Sequence, residues 1–193
     1  MKRMLILLAM ILLVITCKAQ HFEYEITSND KVVGSLSLKI TAGEFSTVYE
    51  VNSKTAISAL QVDYSYQLLT EYRGNEFQAS SLITYLNGNV NSTVKASRIG
   101  DKYTVIKSGA TSSYGKIIVY SEALLYTHEP KNIDYLYSEF LGGDKTVKKT
   151  GAHTYQFINE ENGNTGTYTY KNGALVKAII NYGIIRFTIK KIK

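Results

Sequence analysis

The amino-acid sequence predicts an all-β protein, an antiparallel meander of about ten strands forming an open or closed barrel. Three observations carry this expectation. Apolar and polar residues alternate through most of the chain, as they do in half-buried strands. Clusters of Asn, Gly and Asp interrupt the alternation roughly every 8–15 residues, the spacing of barrels and sandwiches and not of βαβ units. The 193 residues include 16 Tyr and a single Pro, a composition suited to strands.

Phe22, Tyr24 and Ile26 share one parity, and Asn29, Asp30 and Lys31 form a turn. Gly34, Leu36, Leu38 and Ile40 alternate with Ser35, Ser37 and Lys39. Residues 45–51 follow a break at 41–44, and a long strand covers 64–72, with Tyr64, Tyr66, Leu68, Thr70 and Tyr72 on one face. Gly74 and Asn75 separate it from residues 77–86. Asn87-Gly88 is a strong hairpin signal, because both residues tolerate the positive φ of a type I′ turn. Strands at 90–99, 103–107 and 116–120 come next, then 154–159, 165–170, 174–181 and 184–191.

Two stretches lack this rhythm. Residues 55–60 read as a helical turn or a crossing loop. Residues 121–142 form a short irregular or helical segment. Within it, 122–126 extends a strand or forms a short helix, and Pro130 stops regular pairing. A one- to two-turn helix is expected over 132–140, begun by Asn132 as cap. This segment is expected to cover an open end or edge of the barrel.

The start of the chain reads as an export signal. Lys2 and Arg3 precede an unbroken apolar run from Met4 to Ile15, too short for the roughly 20 residues of a membrane-spanning helix. Cleavage after Ala19 leaves Gln20 first, so residues 1–19 are the expected signal peptide and 20–193 a single β-barrel-like domain. Thr16 before Cys17 makes a poor lipobox, and lipidation at Cys17 is not expected. Without residues 1–19 the net charge falls from +6 to +3, as Lys2, Arg3 and Lys18 leave with no acid. The mature domain is then Cys-free, which suits an oxidising compartment and excludes thiol chemistry. So small a charge does not argue for nucleic acid. The protein is expected in the periplasm or outside the cell, touching membrane only through the signal or a lipid anchor. A soluble barrel is preferred to a membrane-spanning one, because the chain ends on Ile192-Lys193 and not on an aromatic residue.

Chemistry-bearing motifs are few. The three His, at 21, 128 and 153, lie far apart in sequence, so no metal site is expected. There is no Gly-x-Ser-x-Gly elbow and no phosphate loop. Acid pairs such as Glu122 with Glu129, or Asp134 with Glu139, could serve acid–base work, but chance pairs are common among 16 acids. No catalytic residue and no cofactor are expected. The tyrosines are the most informative side chains, since an apolar body with a polar tip suits a partly wet cavity. Tyr64, Tyr66, Tyr135, Tyr137, Tyr168 and Tyr170 are the candidate ligand-binding set.

Several short pieces together resemble an uncharacterised family of secreted Bacteroidota proteins with a domain of unknown function. They are Tyr24-Glu25-Ile26 with Val33-Gly34, the Glu129-Pro130 break, Tyr137-Ser138-Glu139, and Tyr168-x-Tyr170-x-Asn172-Gly173. Gln after the small residue at the cut is also similar to Bacteroidota signals. In outline the group is similar to open barrels of lipocalin or lipoprotein-carrier type. The resemblance implies an antiparallel barrel with a ligand cavity and supplies no catalytic residue. The function expected is a binding module for a small apolar or amphipathic ligand such as a lipid. A cell-envelope structural or interaction module with a filled core is the alternative, and a hydrolase acting on envelope material the second alternative.

Overall fold

A computed structural model describes residues 18–193. The apolar run and Cys17 lie outside the described residues, as does nearly all of the expected signal peptide. Fourteen strands form one sheet. The first eight are β1 (Lys18–Ser28), β2 (Lys31–Ala42), β3 (Thr47–Ile57), β4 (Val62–Arg73), β5 (Glu76–Leu86), β6 (Asn89–Ile99), β7 (Lys102–Lys107) and β8 (Ala110–Tyr114). The remainder are β9 (Tyr135–Ser138), β10 (Gly143–Gly151), β11 (Thr154–Ile158), β12 (Thr165–Lys171), β13 (Ala174–Tyr182) and β14 (Ile185–Lys191). Every ladder is antiparallel. The order is β8 to β1 without a break, then β14 back to β9, so β1 and β14 pair in the middle of the sheet.

The alternation sets which face rolls inward. Tyr24, Ile26, Leu36, Leu38, Tyr49, Val51, Leu68 and Tyr72 are buried, while their sequence neighbours face out. At Gly34 the backbone of β3 lies close against β2. A Cβ there would sit 2.1 Å from the Lys54 carbonyl oxygen, and the β1–β2 register shifts beside it between Ile26 and Thr27. This is the bend that an in-strand Gly permits.

The sheet does not close by hydrogen bonding. Its two edges, β8 and β9, overlap. Tyr137 of β9 packs its ring against Phe77 of β5 and Tyr114 of β8, at centroid distances of 5.6 and 5.2 Å. Tyr114 donates to Asp144 of β10 at 2.5 Å, and Lys116 pairs with the same carboxylate. Leu136 and Ser138 point the other way, toward the lumen. From Leu136 to Ser138, β9 is therefore buried on both faces, tucked inside the β5–β8 wall.

Hairpins alternate between two rims. Turns at 29–30, 87–88 and 183–184 lie at one rim, and turns at 43–46, 74–75 and 172–173 at the other. The chain leaves β8 at the second rim and starts β9 at the same rim. Between them, residues 115–134 enter the barrel as a plug. Ile118, Tyr120, Ser121, Glu122, Ala123, Leu124 and Leu125 are buried, the last four in a 3-10 turn at Glu122–Tyr126.

Three expectations need correction. The described residues form fourteen strands and not about ten. β8, β9 and β10 carry no clean alternation, because β8 is exposed on both faces and β9 is buried on both from Leu136 to Ser138. Residues 116–120 join no strand; only Ser121 bridges to Tyr137. The helical content of 121–142 is a single 3-10 turn, and no helix covers 132–140. Asn132 has a φ of +58°, whereas a helix cap needs extended backbone. Residues 55–60 divide between the end of β3 and a 3-10 turn at Ser58–Leu60.

Candidate functional site

The plug fills one rim and leaves the other lined with aromatic rings. Toward the unplugged rim, β4 supplies Tyr64 and Tyr66, β12 supplies Tyr168, and the turn after β9 supplies Phe140. Tyr126, at the end of the 3-10 turn, lies behind them. Its hydroxyl is 3.2 Å from that of Tyr66, and its backbone oxygen accepts from Tyr24 at 3.3 Å. Tyr66 meets Phe140 edge to face at 5.0 Å, and Tyr168 meets Phe157 at 4.6 Å. Gly166 makes room for this arrangement, since a Cβ there would stand 2.7 Å from the Tyr168 ring.

These inward-facing side chains are only half-buried. Their hydroxyls are nonetheless enclosed on most sides. Burial pushes Tyr64 up to about 12, and raises Tyr66, Tyr126 and Tyr168 from the ordinary range, with Glu122 adding to each. Ile180 and Phe187, also half-buried, extend the apolar lining.

Beneath the rings lies a buried polar network. The Glu122 carboxylate accepts from Ser138 Oγ at 2.9 Å and pairs with Lys145. Glu139 accepts from Thr70 Oγ1 at 3.1 Å and from the Glu122 backbone N–H at 2.9 Å. Burial, then the neighbouring Glu122, raises the Glu139 carboxyl to about 7. Tyr72 donates to Ser121 at 2.9 Å. The pairing is Glu122 with Glu139, not the Glu122–Glu129 and Asp134–Glu139 pairs suggested by sequence order. No signal in the sequence links those two positions; the turn after β9 and the plug bring them together.

A cavity of about 400 Å³ opens where the plug meets β10 and β11. Glu129 is its covered carboxylate, with its side chain 4% exposed. It accepts from Tyr155 at 2.8 Å, contacts His153 Nδ1 at 3.0 Å and faces Lys131 at 3.6 Å. Burial works against the Glu129 charge, but Tyr155, His153 and Lys131 outweigh it and hold the carboxyl below its usual value. These contacts pin the plug to the wall. His128 does not line this cavity; its ring lies 6.5 Å from Tyr49.

Of the six candidate tyrosines, the structure groups Tyr64, Tyr66 and Tyr168 at the unplugged rim. Tyr137 and Tyr170 are packed core residues at 1% and 3% exposure. Tyr135 lies on the outside beneath the Lys116 amine, 4.5 Å from the ring centre. Tyr126 and Phe140 carry no parity signal in the sequence, because each lies in a stretch without strand alternation. No group of three or more metal-ligating side chains occurs among the described residues. No helix there is long and apolar enough to cross a membrane, which says nothing about strands.

Residues 24–192 match a domain of unknown function, DUF6134. No curated protein matches the chain. A crystal structure of a β-barrel-like protein with the domain of unknown function DUF1849, from Brucella abortus, shares the fold at a TM-score of 0.59. The two are 12% identical, over 92% of this chain and 96% of that one.

Proposed function

The chain belongs to the DUF6134 family of domains of unknown function, and from that premise we propose an exported binding module that takes an apolar or amphipathic ligand into its aromatic mouth. One observation carries this reading. The plug packs one rim of the rolled sheet, while Tyr64, Tyr66, Tyr126, Phe140 and Tyr168 stay half-buried toward the other. A ligand site of this kind is concave, mostly apolar and furnished with a few polar groups. The tyrosine hydroxyls and the Glu122–Lys145 pair supply those groups. Rim residues Val32, Leu86, Val90 and Ile184 are exposed there, but Phe45 and Ile99 are equally exposed at the plugged rim. Both ends are rich in aromatic rings; those at the plugged rim, among them Tyr49, Tyr72, Phe77 and Tyr170, are buried, and it is the partial exposure of the rings at the other rim that distinguishes the two.

A filled-core interaction module is the second reading, favoured by how much of the lumen the plug occupies. The two separate by experiment. Protein purified from its native host is extracted with organic solvent and the extract analysed by mass spectrometry. Uptake of a solvatochromic naphthalene dye is measured in parallel. A co-purifying lipid, and dye uptake at least tenfold weaker in Tyr66→Ala and Tyr168→Ala, support the aromatic mouth. Neither a bound molecule nor dye uptake supports the filled core.

A further inference from the structure

The two edges of the sheet are unequal. The β9 edge is engaged: Tyr137 donates its backbone N–H to the Tyr120 carbonyl at 2.9 Å, and Ser121 bridges to Tyr137. The β8 edge pairs with β7 on one side and with no strand on the other among the described residues. Alternate residues of Ala110–Tyr114 therefore turn N–H and C=O groups outward without a backbone partner. Folded proteins blunt such edges with charges, prolines or bulges. β8 reads Ala-Thr-Ser-Ser-Tyr, with no charge and no proline, and its register against β7 shows no shift. Its first four residues are exposed. The edge is left open to an incoming strand.

Its surroundings are basic on balance. Residues 89–121 carry Lys95, Arg98, Lys102, Lys107 and Lys116 against the single acid Asp101. Arg98 is engaged with Glu76 at 2.6 Å and Lys116 with Asp144 at 2.5 Å. Lys107 donates to the Leu141 carbonyl at 3.1 Å. Lys95 and Lys102 are exposed and join no ion pair among the described residues. A second copy offering its own β8 would bring like charges together.

We propose that the β8 edge is a docking site for an extended, acidic polypeptide segment of a partner protein, added to the sheet as a further antiparallel strand. Main-chain hydrogen bonds to β8 would supply register and affinity, and the net positive charge of this edge, with Lys102 at the start of β7 its nearest unpaired amine, the preference for acidic residues. This inference is independent of the aromatic mouth.

The test uses a fluorescent peptide of alternating valine and threonine with a glutamate at each end. Controls are the same peptide with lysine ends and one N-methylated at alternate residues. Anisotropy should show the acidic peptide binding at least tenfold tighter than the lysine form, with N-methylation abolishing binding. Hydrogen exchange should slow at least tenfold within 110–114 on binding. Lys102→Glu should weaken binding severalfold at unchanged melting temperature. No binding at millimolar peptide, equal binding of the N-methylated form, or protection confined to another strand would overturn the proposal. So would sedimentation showing that β8 pairs with a second copy.

Discussion

The backbone N–H of Glu122 donates to the side-chain carboxylate of Glu139 at 2.9 Å, tying the first residue of the plug's 3-10 turn to the turn after β9. Two acids thus share a buried site with one amine, that of Lys145. The proton that relieves this crowding falls on Glu139, whose carboxyl titrates near 7. A folded-state value above the unfolded one means that the native state holds the extra proton between about 4.5 and 7. Stability should fall as pH rises through that window. Thermal melts from pH 5 to 8 should show the decline in the wild type and a flatter profile in Glu139→Gln. Gln keeps one acceptor for Glu122 and one donor for Thr70.

Glu129 should act in the opposite sense. Its folded-state value is lowered, so its stabilisation is present above the usual carboxylate range and lost as pH falls below it. Glu129→Gln weakens the charge-assisted contacts to Tyr155, His153 and Lys131 and should destabilise by roughly 1–2 kcal/mol at neutral pH. The difference from wild type should shrink below pH 4. A constant difference down to pH 3 would show that charge plays no part in pinning the plug.

Gly34 has no room for a side chain. Gly34→Val should lower stability by several kcal/mol and Gly34→Ala by less, since even a methyl group meets the Lys54 carbonyl at 2.1 Å. Urea melts give the comparison. An unchanged midpoint in Gly34→Ala would mean that β2 and β3 separate freely at this point.

The Tyr137 hydroxyl is buried with no hydrogen-bond partner among the described residues. Removing an unsatisfied polar group without changing shape is neutral or favourable. Tyr137→Phe should therefore match or exceed the wild-type melting temperature, by up to about 1 kcal/mol. A loss of stability would reveal a partner for the hydroxyl.

Legibility in the sequence followed burial. Strands with one wet face announced themselves, as Leu36, Leu38 and Ile40 did against Ser35, Ser37 and Lys39. β9 could not, because Leu136 and Tyr137 are both covered. β8 could not either, because it covers little itself. Tyr64, Tyr66 and Tyr168 were found through shared parity along β4 and β12. Tyr126 and Phe140 reach the same place from the plug and a turn, where parity carries no meaning. The Glu122–Glu139 contact depends on how far the plug penetrates, which is a property of the rolled sheet and not of any local stretch.

The central pairing of β1 with β14 also sets an order of events. β1 forms a hairpin with β2 at once, but its other edge finds a partner only in the last strand of the sheet. No earlier strand can take that place without displacing β14. The meander from β1 to β8 and the one from β14 to β9 are each made of local hairpins, and joining them is a long loop closure. Folding should therefore show fast hairpin assembly followed by one slow docking step. Until that step, the inner edge of β1 is the place where a stalled chain is most open to wrong partners.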